Sequence, residues 1–100
     1  METVTKKYCE KEVIFTKKST EVSPLDFEGK DGVYEEGLIK LAMKILDTFN
    51  DNDVFIDVGA SIGLFTLMTN KGLCISFEPH PDRFEQLMQN IFLNKKQDSI

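Results

Sequence analysis

The sequence predicts an α/β fold built on two parallel strands with flanking helices, and two observations carry that prediction. Two short runs rich in β-branched and aromatic residues, 54–58 and 73–78, each give way through glycine or proline to a stretch whose apolar residues recur at helical spacing. An amphipathic stretch also precedes the first run, so helix, strand, helix, strand and helix follow one another through short joints. That is the pattern of βαβ units, and hence of a parallel sheet with right-handed crossovers. With 100 residues, 41% of them hydrophobic and 29% charged, the chain has room for one core.

Residues 1–33 read as an N-terminal extension and residues 34–100 as the start of the α/β domain. In the extension, Glu12–Thr16 suits one short strand, while "STEVSPLDFEGKDG" has the Ser, Pro, Asp and Gly density of a loop. From about Tyr34 the pattern changes. Leu38, Leu41, Ala42, Ile45, Leu46 and Phe49 form one stripe of a helix, which stops at the turn formers "NDND". Val54, Phe55, Ile56 and Val58 are interrupted only by Asp57, the composition expected of a parallel strand buried on both faces.

After Gly59, Leu64, Phe65, Leu67 and Met68 resume helical spacing up to Lys71-Gly72, where glycine suits a left-handed cap. "LCISFE" is the second buried strand, and "PHP" breaks it. Phe84, Leu87, Met88, Ile91 and Phe92 mark a last helix, opened by Pro81 and Asp82, with Phe84, Met88 and Phe92 expected in the core. There are no internal repeats and no low-complexity segments.

Charge and composition exclude several function classes. Seventeen acids against 12 bases give a net charge of −5, and the lysine pairs are separated by acids, which argues against nucleic-acid and anionic-membrane partners. The start, "METVTKKYCEKEVIF", has no apolar signal region and no apolar run approaches membrane length, so a cytoplasmic location is the default expectation. Cys9 and Cys74 stand far apart with a single histidine, His80, in the chain; no metal site is expected, and both cysteines read as reduced thiols with Cys74 inside a strand.

The chemistry concentrates in "VFIDVGASIGLFTL". In a βα unit the loop after the strand lies at the carboxyl edge of the sheet, where glycine lets a ligand approach the backbone. Gly59 is the candidate for that contact, and Gly63 falls in the first turn of the next helix, where lacking a Cβ permits close helix–strand packing. A dinucleotide loop needs G-x-G-x-x-G, whereas this one reads G-A-S-I-G. Taken alone, the pair is also compatible with nothing more than a tight turn and a packing point. Glu78 adds a second signal: it ends the second strand 19 positions after Gly59, close to the separation at which an acid meets a ribose diol held over the first loop.

"VFIDVGASIGLFTL" followed by "ISFEPHPDRFEQLMQNIFLN" resembles the first two motifs of class I S-adenosylmethionine-dependent methyltransferases, most closely those of the FkbM-type family. The likeness spans about Tyr34 to Asn94, with Ser61 standing where the family usually has Asn. It implies a Rossmann-like methyltransferase fold, here incomplete, with residues 34–100 as its N-terminal portion and S-adenosylmethionine as cofactor. It further implies that Asp57 sits beneath the methionine part, fixing the loop or reaching the ammonium directly or through water. Gly59, Ala60 and Ser61 would line the methionine moiety, Glu78 would hold the ribose diol, and Pro79 and His80 would lie beside the adenine. Glu35 in the preceding helix would face the methionine end. A sulfonium ligand carries no phosphate, so a loop without the middle glycine and an acidic surround suit it.

The implied reaction is methyl transfer to a hydroxyl acceptor, small or sugar-like, with the acceptor-facing residues beyond Ile100 and no catalytic residue nameable within the chain. Rival readings are a nucleotide-binding module that does not catalyse and an inactive truncated product. NAD binding is disfavoured by G-A-S-I-G. The strand at 54–58 has only "LCISFE" to pair with in parallel, so self-association through an exposed sheet edge is also expected.

Overall fold

The alternation Thr3, Thr5, Lys7 against Val4, Lys6, Tyr8 suits a strand, and in the computed structural model it forms one; residues 2–8, 11–17 and 36–95 are described. Strands β1 (Thr3–Tyr8) and β2 (Lys11–Thr16) make an antiparallel hairpin in which Thr3 faces Thr16 and Tyr8 faces Lys11. The sequence reading had one strand here, at Glu12–Thr16; β1 is the addition. The boundary placed between residues 33 and 34, the loop around 18–33, Cys9 and Glu35 all lie outside the described residues.

Helix α1 (Glu36–Leu46) ends three residues before the expected stop at "NDND", its last turn tightening to Phe49 N–H on Leu46 O at 3.1 Å, and Asp53 N–H then closes a turn on Asn50 O at 3.1 Å. Strands β3 (Val54–Val58) and β4 (Leu73–Phe77) pair in parallel, Val54 with Leu73 through Val58 with Phe77, and helix α2 (Pro81–Leu93) follows β4. The parallel pair and both of its flanking helices match the reading of the sequence.

Its connector does not. Between β3 and β4 there is only a 3₁₀ turn, Thr66–Met68, where the spacing of Leu64, Phe65, Leu67 and Met68 predicts a helix. Hydroxyl side chains compete with helical bonding, and Thr66 directs its hydroxyl to Asp57 and Ser76. Leu64, Thr66, Leu67, Met68 and Thr69 are all buried and Phe65 is partly so, so the segment is a plug in the core with little solvent face. Gly72 is left-handed, as anticipated, but for another reason: at φ +79 it lies against the turn before β3, where a Cβ would come 2.3 Å from Asp53 O.

Tyr8, Val13 and Phe15 from the hairpin, Ile39, Met43 and Leu46 from α1, Ile62, Leu64, Leu67 and Met68 from the connector, and Leu87 and Ile91 from α2 form one core. Burial also corrects the apolar stripes. On α1 the buried residues are Ile39, Met43 and Leu46, while Leu38, Leu41 and Ile45 are exposed; on α2, Phe84, Met88 and Phe92 are exposed, and the polar Gln86 and Asn90 are buried. Among the described residues, strand β3 is covered on one face only. Asp57 is buried and Phe55 partly so, while Val54, Ile56 and Val58 are exposed and continue across Leu73, Ile75 and Phe77 of β4. Along β4 and α2 an apolar groove of about 350 Å³ runs between Ile75 and Met88.

The buried polar residues of α2 have a specific task. Asn94 accepts from Ile14 N–H at 2.9 Å and donates to Ile14 O at 2.7 Å; Asn90 accepts from Thr16 N–H at 2.7 Å, and Gln86 donates to Thr16 O at 2.7 Å. Residues 86, 90 and 94 lie on one helix stripe, so amide side chains stand in for a neighbouring strand along the open edge of β2. Asn90 also donates to Ile62 O at 2.7 Å, which ties the hairpin to the glycine loop.

Asn90→Ala leaves the buried Thr16 N–H and Ile62 carbonyl without partners. We expect it to lower unfolding stability by about 2–4 kcal/mol, against about 1 kcal/mol for Asn94→Ala at the wetter end of the ladder. Urea unfolding of the two variants measures this, and equal losses would refute the assignment.

Candidate functional site

The glycine loop and the acid meet at the carboxyl ends of the parallel strands. Because Val58 pairs with Phe77, the chain leaving β3 can return both Gly59 N–H and Ala60 N–H to Phe77 O, at 2.9 and 3.0 Å. The loop then turns sharply, with Gly63 N–H donating to Ala60 O at 2.9 Å. Ser61, at φ +55, takes the left-handed position of this turn. Asn tolerates that conformation better than most residues, which gives a physical reason for the Asn usual there in the family the sequence resembles.

Glu78 joins the two loops. Its Oε1 accepts from Ser61 N–H at 2.7 Å and its Oε2 from His80 N–H at 3.0 Å. His80 is the N-cap of α2, its Nδ1 accepting from Arg83 N–H at 3.4 Å, and Arg83 Nη1 donates to Ser61 Oγ at 3.1 Å. Ser61, Glu78, His80 and Arg83 thus close a hydrogen-bonded ring across the edge of the sheet. Both oxygens of Glu78 are oriented by main-chain donors, and each retains a lone pair for a further donor.

The two glycines have separate duties. Gly59 is exposed at φ +75, and a Cβ there would meet nothing within 4 Å, so the backbone is open to a ligand beside Glu78. Gly63 is buried at φ +104, outside any helix, and a Cβ would come 2.8 Å from Leu87 Cδ1. Its packing role therefore holds, but the partner is α2, and the expected first-turn helical position is corrected to a left-handed turn.

Asp57 points under the sheet. Its Oδ2 accepts from the Thr66 hydroxyl at 2.6 Å, Thr66 shares a hydrogen bond with Ser76 Oγ at 2.7 Å, and Ser76 Oγ lies 3.3 Å from Cys74 Sγ. The hydrogen bond this geometry displays ties Asp57 to Thr66 of the connector. Ala60 is buried, and Pro79 and His80 are exposed at the rim. The structure therefore brings together Gly59, Ala60, Ser61, Glu78 and His80, with Asp57 and Gly63 behind them. Arg83 went unnoticed in the sequence; the available signal was its place three residues after an N-cap, where its main chain is fixed.

Among the described residues no group of His, Cys, Asp and Glu could hold a metal, and no helix is long and apolar enough to cross a membrane.

No protein-family model and no curated protein matches the chain. Among solved structures it is similar to a crystal structure described as "putative transferase PH0793" from Pyrococcus horikoshii, at 20% identity and a TM-score of 0.62, over 97% of this chain and 34% of that one. The chain shares that α/β fold and spans about one third of that protein's length.

The glycines separate in stability. Gly63→Ala must displace Leu87 as well as hold a left-handed alanine, and should cost about 2–3 kcal/mol; Gly59→Ala, with open space around it, should cost only the strain, about 1 kcal/mol. Thermal unfolding of the two variants compares them, and a larger loss at Gly59 would reverse the assignment.

Proposed function

We propose that the chain forms the S-adenosylmethionine-binding part of a methyltransferase of FkbM type acting on a hydroxyl acceptor. The observation that carries this reading is the meeting of Glu78, Ser61 and the open backbone of Gly59 at the carboxyl edge of a parallel strand pair, where ligands of α/β folds bind. When bound, the cofactor supplies an electrophilic methyl group on a sulfonium. Gly59, Ala60 and Ser61 line its methionine part, Glu78 accepts from both ribose hydroxyls, and Pro79 and His80 flank the adenine. Asp57 acts from below, holding Thr66 and with it the connector behind the loop. A transferase fold in the structural neighbour agrees with this assignment at a coarser level.

A second reading is a nucleotide-binding module without turnover. It is favoured by His80, the single histidine, whose Nδ1 is engaged in capping α2 and is not presented as a base.

Calorimetry with S-adenosylmethionine, S-adenosylhomocysteine and NAD tests the ligand. The adenosyl ligands should bind and NAD should not. Glu78→Ala removes a charged acceptor from two hydroxyls, about 1.5–3 kcal/mol, and should weaken binding at least tenfold. Gly59→Val should abolish it, because its side chain enters the open space over the loop. Unchanged affinity in Glu78→Ala, in a variant whose circular dichroism matches the parent, removes Glu78 from the site.

We also propose that the apolar outer face of the β3–β4 pair makes the isolated chain self-associate. Sedimentation should show mass rising with concentration, and Ile56→Lys should lower it. A parent chain that stays monomeric refutes this.

A further inference from the structure

We infer that Arg83 is a positioning residue for the amino-acid end of the ligand, an inference that rests on the reading of Ser61 as part of the methionine-binding loop. Ser61 is held at φ +55, a conformation that opposes any residue with a Cβ. Two contacts sustain it from outside the turn: its N–H on Glu78 Oε1 at 2.7 Å, and the Arg83 guanidinium on its Oγ at 3.1 Å. The first comes from the loop after β4 and the second from the first turn of α2. Loosening Arg83 therefore frees Ser61 on the side away from Glu78 and leaves the carboxylate its other donor, His80 N–H.

The ring makes this asymmetry specific. Glu78 is the ribose contact and keeps the His80 N–H donor whichever side chain stands at 83, whereas Ser61 loses one of its two outside contacts with the Arg83 side chain. Arg83 is half-buried, and the Arg83 N–H that bonds to the N-cap belongs to the main chain, so replacing the side chain leaves the helix start in place. Arg83 thus acts through Ser61 on the part of the ligand that lies over the loop.

The test compares two ligands on four proteins. The parent chain, Arg83→Met, Ser61→Ala and the double variant are titrated with S-adenosylhomocysteine and with adenosine, which lacks the amino-acid end, and hydrogen exchange at the Ser61 amide is followed without ligand. Arg83→Met should weaken S-adenosylhomocysteine about fivefold and adenosine less than about twofold, with faster Ser61 exchange. Arg83→Lys, which restores a donor, should recover part of the affinity. The double variant should lose less than the sum of the Arg83→Met and Ser61→Ala losses, because both remove the Arg83–Ser61 contact. Equal losses for the two ligands, or full additivity in the double variant, overturn the role of Arg83 while leaving the cofactor assignment standing. A parent chain that binds neither ligand overturns both.

Discussion

Strand β2 has β1 along one edge only, so the main-chain groups of Ile14 and Thr16 on the other edge must find partners elsewhere, and the amides of Gln86, Asn90 and Asn94 provide them. Much else follows from that constraint. An unpaired buried N–H or C=O costs on the order of 1–3 kcal/mol, so a hairpin laid against a purely apolar helix would be a poor structure. With the amides in place the hairpin buries Val13 and Phe15 against the connector and α2. Asn90 adds the link that matters for the site, since its second hydrogen bond goes to Ile62 O inside the glycine loop.

The same ladder explains which parts of the sequence were legible. The parallel pair was readable because Val54–Val58 and Leu73–Phe77 are short apolar runs closed by glycine and proline, and the start of α2 because Pro81 and Asp82 follow a capping residue. The core face of α2 was not, because apolar periodicity assumes that the buried stripe is the greasy one. Here the helix buries Gln86 and Asn90 beside Leu87 and Ile91 and turns Phe84, Met88 and Phe92 outward. The connector misled for a related reason: Leu64, Phe65, Leu67 and Met68 have helical spacing, but the hydroxyl of Thr66 serves Asp57 and Ser76. Strand β1, with its lysines and threonines, carries no apolar face strong enough to announce itself before its partner is known.

In the candidate site, sequence spacing was informative where it reported on the backbone. Gly59 and Glu78 stand at the ends of adjacent strands, and register alone brings them together. Side-chain direction was outside its reach: neither the turn of Asp57 beneath the sheet nor the bond from Arg83 to Ser61 follows from residue type.

A parallel sheet ordinarily has both faces covered, whereas among the described residues β3 and β4 are covered on one, and the apolar residues left outside are not scattered. Val54, Ile56 and Val58 run beside Leu73, Ile75 and Phe77, while Phe84, Met88 and Phe92 form their own row along α2. Hydrophobic area that is contiguous and aligned with a strand register has the character of an internal surface. The glycine loop stands apart from that surface. Among the described residues its hydrogen bonds run to Phe77, Glu78, Arg83, Asn90 and Leu67, none of which lies on the exposed row of β3, so its geometry is set on the other side of the sheet edge from that surface.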